Sequence, residues 1–271
     1  MHNNVEYRYT LFATMPMQWK VLVLMFLAIF SKASGGGRMK PCSRGGNETA
    51  EDGMSYCLSW RVGVETNNVR WWWTVPPRCL RYLENYMLGG QYERDLNLVM
   101  DQISSYLSGI VFSNDSMDAW ILDIDDTCLS NLLYYRDVKH FGCDPYDPIS
   151  FKKWAMKGGS PAVPSVLELF RKLVSSGFKV FLVTGRDEAT LSQATMDNLH
   201  NQGYLGYERL IMRSEAYKGQ SAVVFKSEIR KELEGQGYRI WGNVGDQWSD
   251  LTGDCLGART FKLPNPMYFV P

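Results

Sequence analysis

From residue 119 onward the chain alternates between two hydrophobic patterns. The runs "AWILDI" (119–124), "FKVFLV" (178–183), "RLIM" (209–212) and "YRIWGNV" (238–244) are short, continuous and of strand length. Between them, "VPSVLELFRKLVSSG" (163–177), "DEATLSQATMDNLHNQG" (187–203) and "SEIRKELEG" (227–235) read as helices. The first carries Pro164 near its first turn and Gly177 past its end. The second opens with Asp187 and Glu188, where the helix dipole favours anions. Apolar strands alternating with amphipathic helices predict an α/β fold, a Rossmann-like three-layer arrangement with a parallel sheet covered on both faces.

Upstream the pattern differs. "TVPPRCLRYLENYMLGG" (74–90) predicts a short helix with Pro at its start and Gly at its end. Leu96, Val99, Met100, Ile103 and Leu107 then recur at three- and four-residue steps along one helical face. Residues 59–118 therefore read as an N-terminal helical region. Residues 35–58, rich in Gly, Ser, Asn and Glu, read as a linker or extended arm. The run Trp71, Trp72, Trp73 is expected to pack against the main body rather than to serve as a ligand platform.

The N-terminus adds a targeting signal. Arg8 and Lys20 precede the ten apolar residues "VLVLMFLAIF" (21–30), and "SKASGGG" follows with small residues. That is the pattern of a cleaved secretory signal peptide over residues 1–34. Ten apolar residues fall short of the roughly 20 needed to span a bilayer, so no stable membrane span is expected. Secretory entry makes disulfides feasible, and Cys57 with Cys79 is the preferred pair among the six cysteines. Asn47-Glu48-Thr49 and Asn114-Asp115-Ser116 have the form of glycosylation acceptors. Vacuole, cell wall and extracellular space all follow from this route.

Charge excludes one class of partner. Lys plus Arg equals Asp plus Glu at 29 each, so no net field steers the chain toward nucleic acid. Any anion recognition must be local.

In an open parallel sheet, ligands bind beyond the carboxyl ends of the strands. The first strand is followed by "DIDDT" (123–127), the second by "TGR" (184–186), and the fourth by "GDQWSD" (245–250); Lys226 begins the helix before that fourth strand. All these polar groups converge on one edge. Asp123 with Asp246, Asp250 or both could hold a hard cation such as Mg²⁺, which takes one or two carboxylates together with water and substrate phosphate. The Thr184 hydroxyl, the Gly185 amide and the Lys226 ammonium suit phosphate oxygens.

The set "DIDDT", "VTGR", Lys226 and "GDQWSD", in that order, resembles the four motifs of the haloacid dehalogenase superfamily of phosphatases. More closely, "SWRVGVETNN", "YMLGGQY", "LDIDDTCLSNLLYY", "TGRDEAT", "FKSEIRKEL" and "GNVGDQWSDL" resemble the plant class B acid phosphatases and vegetative storage proteins. The resemblance implies a phosphatase core over residues 119–271 of haloacid dehalogenase type, with a small helical insertion, 128–163, after the first strand. It implies Asp123 as nucleophile and Asp125 as general acid and base, with the Asp125 carbonyl also facing the metal. Thr184 and Gly185 would bind the phosphoryl group, and Lys226 would stabilise both nucleophile and phosphate. Asp246 and Asp250 would complete the Mg²⁺ site, directly or through water. Asp126 and Thr127 would support the turn, and Arg186 would contact phosphate or orient the following helix. The expected substrate is a small phosphomonoester, and the storage relatives suggest a homodimer.

Three functions stay open at this point. The first is a Mg²⁺-dependent acid phosphatase acting through an aspartyl phosphate. The second is a storage protein with little or no turnover. The third is a binding protein that uses the aromatic N-terminal region.

Overall fold

The computed structural model describes residues 50–113 and 115–271, with side chains from residue 53 on. The expected leader, Cys42 and both acceptor asparagines, Asn47 and Asn114, lie outside the described residues. The helices in chain order are α1 (Ala50–Glu65), α2 (Leu80–Leu88), α3 (Gln91–Leu107), α4 (Leu132–Asp137), α5 (Pro148–Ala155), α6 (Pro164–Ser175), α7 (Glu188–Asn201) and α8 (Ala222–Gly235). The strands are β1 (Asp118–Leu122), β2 (Lys179–Asp187), β3 (Arg209–Arg213), β4 (Arg239–Gly245) and β5 (Arg259–Lys262). They form one parallel sheet in the order β3-β2-β1-β4-β5.

The strand pleat sorts side chains between two cores. Trp120, Leu122, Val180 and Leu182 face one layer, where they join Val166, Leu169, Phe170 and Leu173 of α6. Ala119, Ile121, Phe181 and Val183 face the other, against Phe225, Ile229 and Leu233 of α8. Every residue of β1 is buried, as a central strand with helices on both faces requires. Trp120 lies flat against β4: a Cβ at Gly242 would meet its ring at 2.1 Å, so only glycine fits there.

The N-terminal region corrects two expectations. Helix α1 starts inside the stretch 35–58 expected to be a linker, because Trp60 and Val64 bury against the core and override the polar local composition. Cys57 on this helix is bonded to Cys79, as expected, with the two Cα atoms 5.3 Å apart. The tryptophan run does not pack as a unit. Trp72 meets Trp60 and Phe269 at centroid distances of 5.2 and 6.3 Å. Trp71 touches Phe269 edge-on but remains 70% exposed, and Trp73 is 88% exposed. Strand β5 has no counterpart in the sequence reading, since of its four residues only Phe261 is buried. No helix among the described residues is long and apolar enough to cross a membrane.

Candidate active site

The turn after β1 is closed by its own backbone. Asp123 N donates to Val244 O at 3.0 Å, so the residue is held one step beyond the β1 strand and still against β4. Leu129 N then donates to Ile124 O at 2.8 Å, and Asp126 N donates to Leu129 O at 2.7 Å. Asp126 adopts a left-handed φ of 56°, a conformation that aspartate tolerates better than most residues. This compact loop presents Asp123 and Asp125 toward the carboxyl edge and turns Asp126 inward.

Two elements bring charge to Asp123. Helix α8 is capped by the Ser221 hydroxyl, which accepts from Val224 N at 3.2 Å, and it carries Lys226 into the edge on its second turn. The Lys226 ammonium donates to Asp123 Oδ1 and, at 2.6 Å, to Asp250 Oδ1. These three side chains are 5–8% exposed. Burial works against the lysine charge, yet the two facing carboxylates outweigh it and hold its pKa above the usual lysine range. Burial pushes the Asp123 carboxyl up, and Lys226 draws it back.

The loop after β4 positions both remaining carboxylates. Asp250 folds back over the strand end, where a Cβ on Gly245 would lie 2.3 Å from Asp250 Oδ2. That oxygen accepts from Gln247 N at 3.0 Å. Arg230 of α8 ties the same loop down by donating to the carbonyls of Asp250, Thr252 and Asp254 at 2.7–3.0 Å. Asp246 has a different set of partners. Its Oδ2 accepts from Asn265 Nδ2 at 2.7 Å and Gln247 Nε2 at 2.8 Å, with the Tyr268 hydroxyl at 3.3 Å. Its Oδ1 accepts from the Thr127 hydroxyl at 3.2 Å. Burial first, and then Asp250, raise Asp246 to about 6; burial and then Asp246 raise Asp126 to about 8.

Asp123, Asp246 and Asp250 each offer an oxygen within 4.8 Å of the others. Three carboxylates face one ammonium, so the cluster in its ionised form carries a net charge of minus two. A buried deficit of that size calls for protons or a divalent cation.

Asp125 has a cationic partner of its own. Arg186 Nη2 donates to Asp125 Oδ1 at 2.7 Å, Arg186 Nε lies 3.1 Å from both carboxylate oxygens, and Asn131 Nδ2 donates to Oδ1 at 2.8 Å. Burial raises this carboxyl, but Arg186 prevails and holds it below the ordinary range. Thr184, fully buried, accepts from Arg186 N at 3.1 Å and reaches Asp125 Oδ2 at 3.4 Å. The β2–β3 pairing shifts register between Thr184 and Asp187, and Gly185 stands exposed between two buried neighbours. Its amide therefore lies on an open stretch of the edge.

The structure thus brings together Asp123, Asp125, Thr184, Gly185, Lys226, Asp246 and Asp250. It also gives two residues partners other than the expected ones and adds three that carried no expectation. Arg186 clamps Asp125, and Thr127 braces Asp246 rather than its own turn. Asn131, four residues past "DIDDT", carries its signal in that closeness and donates to Asp125. Asn265 and Tyr268 lie 19 and 22 residues beyond Asp246, with no motif to connect them. Cys128 is fully buried, and burial pushes its thiol well up, as suits a packing residue.

A parallel sheet with an acidic turn after its central strand, a lysine from a flanking helix and an acidic loop after the next strand is the arrangement of a haloacid dehalogenase phosphatase. The chain belongs to the HAD superfamily, subfamily IIIB (acid phosphatase), whose family model matches residues 43–271. It is 43% identical over 214 residues to acid phosphatase 1 of Solanum lycopersicum, covering 79% of this chain and 83% of that one. It is 38% identical over 217 residues to vegetative storage protein 2 of Arabidopsis thaliana, covering 79% and 80%. Its fold matches the class C acid phosphatase from Bacillus anthracis with a TM-score of 0.57 at 22% identity, over 68% of this chain and 82% of that one.

Proposed function

We propose that the protein hydrolyses small phosphate monoesters through an aspartyl phosphate on Asp123, with a bound Mg²⁺. The observation that carries this reading is the buried carboxylate cluster with its net charge of minus two. The donor set fits a hard divalent cation: it is all oxygen, and one ligand, Asp246, accepts hydrogen bonds from neutral side chains. Asp123, the Asp125 carbonyl and Asp246 would hold the ion. Asp250 would act through water, because the Lys226 ammonium holds one oxygen and Gln247 N the other, whereas neither oxygen of Asp246 meets an ammonium. When bound, the ion would shield the phosphoryl oxygens from the surrounding carboxylates and offset their charge.

The protein's own groups account for the rest. Asp123 Oδ1 is engaged by Lys226, so Oδ2 attacks phosphorus while the ester P–O bond breaks and the leaving oxygen takes the proton that Asp125 has first acquired from solution. Lys226, the Gly185 amide and the Thr184 hydroxyl hold the phosphoryl oxygens. Water then attacks phosphorus, its proton passes to Asp125, and the acyl phosphate bond breaks to release inorganic phosphate and restore Asp123. Asp125 starts ionised beside Arg186, which suits this second half. Its role as acid in the first half needs the Arg186 clamp to slacken as phosphate oxygens compete for the guanidinium.

Hydrolysis of an aryl phosphate by the secreted protein, with Mg²⁺ or with chelator and beside Asp123→Asn, tests the proposal. The expected result is Mg²⁺-dependent turnover that falls at least about a thousandfold in the variant. Equal inactivity of two folded proteins would instead support the storage reading, to which the likeness to vegetative storage protein 2 gives its weight. The signal-like leader and the Cys57–Cys79 disulfide support a secretory route, leading to vacuole or cell exterior.

A further inference from the structure

We propose that the segment after β5, residues 263–271, is a working part of the cation site, with Asn265 and Tyr268 as positioning residues for Asp246. The inference rests on the reading of Asp246 as a direct cation ligand.

Asp246 is only 1% exposed, and it accepts hydrogen bonds from four neutral side chains. Those donors are distributed unevenly. Oδ2 takes Asn265 Nδ2, Gln247 Nε2 and the Tyr268 hydroxyl, whereas Oδ1 takes only the Thr127 hydroxyl. A carboxylate anchored through one oxygen keeps a fixed plane and leaves the other oxygen for a ligand. Neutral donors also preserve the negative charge, whereas a lysine in their place would cancel it and repel a cation.

The segment is itself held firmly enough to act this way. Asn265 Oδ1 accepts from Met267 N at 3.0 Å, and Gln247 Oε1 accepts from Val270 N at 3.0 Å. Tyr268 stacks on Tyr135 of α4 at a centroid distance of 4.8 Å and an interplanar angle of 15°. Its hydroxyl sits 2.9 Å from Asp126 Oδ2, so one phenol joins the turn after β1 to the loop after β4. Phe269 packs on Trp72, which connects the same segment to the N-terminal helical region. The cation ligand is thus oriented by a stretch that touches three parts of the molecule.

The test is calorimetric titration of Mg²⁺ alone, and of Mn²⁺ alone, into the metal-stripped full chain, its Tyr268→Phe variant and its Asn265→Ala variant. Thermal melting without metal is recorded beside each. Tyr268→Phe keeps the ring against Tyr135 and removes only the hydroxyl, so it decides the matter even if Asn265→Ala fails to fold. The expected result is a Kd for both ions raised about tenfold or more in each folded variant. A lowered melting temperature with an unchanged Kd would overturn the inference and leave the segment a purely structural strap. Absence of binding by the wild type would overturn the cation reading itself, and this inference with it. Binding by wild type and Tyr268→Phe with equal affinity would overturn this inference alone.

Discussion

Asp250 and Asp246 leave the same loop four residues apart, both almost fully buried, yet they are compensated in opposite ways. Asp250 meets an ammonium at 2.6 Å and a backbone amide at 3.0 Å. Asp246 meets a threonine, a glutamine, an asparagine and a tyrosine, each neutral. The difference shows how one acidic loop performs two tasks. Asp250 belongs to a charge relay of short contacts that fixes Lys226 beside Asp123. Asp246 is oriented by neutral donors that leave its charge in place, as the proposed cation ligand requires. The motif "GDQWSD" shows two aspartates of equal standing; their partners distinguish them.

The largest expected effect comes from removing the charge on which the Asp250 side depends. Lys226→Met would leave Asp123 and Asp250 facing each other in a buried site with no ammonium bonded to either, and Arg186 and Arg230 acting only at a distance. Breaking a buried pair in this way costs about 3–5 kcal/mol. Urea denaturation of the metal-stripped protein at neutral pH should show that loss, and Mg²⁺ should recover part of it. A variant as stable as wild type would mean the two sides are compensated alike, and the contrast would fail.

Replacing each aspartate by its amide sharpens the comparison with smaller effects. Asp250→Asn takes an ionic partner from Lys226 and weakens the acceptor for Gln247 N, so metal-free stability should fall by about 1–3 kcal/mol. Asp246→Asn removes a charge that no cation hydrogen-bonds, with Lys262 acting on it only at a distance, while its carbonyl still accepts from Asn265 and Gln247. Metal-free stability should therefore hold or rise, while stabilisation by Mg²⁺ disappears. The same denaturation series, run with and without the ion, compares both variants directly. Equal losses in the two metal-free variants would remove the distinction.

Much of this edge was legible in the sequence because each polar cluster directly follows an apolar strand. "AWILDI" and "FKVFLV" end in "DDT" and "TGR", and topology alone carries these ends to one side. What stayed hidden depends on contacts that no local pattern encodes. Helix α1 is anchored by Trp60, Val64 and the Cys57 bridge, all of them tertiary contacts against a polar, glycine-containing context. Strand β5 buries one residue of four, too few to make an apolar run. Asn265 and Tyr268 belong to an irregular segment whose value comes from reaching Asp246 across 19 and 22 residues. The Arg186 clamp could be only half read, since a guanidinium beside "DE" has two carboxylates nearby in sequence and pairs with a third, Asp125, 61 residues away.

The smallest expected effect, and the most specific, lies in pH. Asp246 is raised to about 6 and Asp126 to about 8, each by burial and then by a neighbouring carboxylate. A carboxyl whose folded pKa is raised binds its proton more tightly in the folded chain, so its contribution is full below about pH 4 and is lost as pH climbs through the folded value. Asp125, held low by Arg186, acts in the opposite sense, and its contribution is lost only as pH falls below the ordinary carboxylate range. Metal-free protein should therefore lose stability between about pH 4 and 8, and Mg²⁺ affinity should weaken below about pH 6 as protons compete for Asp246. In Asp246→Asn the decline near pH 6 should vanish, and the one belonging to Asp126 should move below about pH 8, because the Asp246 charge is one of the causes that raise it. Melting temperatures of wild type and variant across this range provide the comparison. Superimposable curves would show that Asp246 carries no uncompensated charge, and with that the distinction between the two aspartates would end.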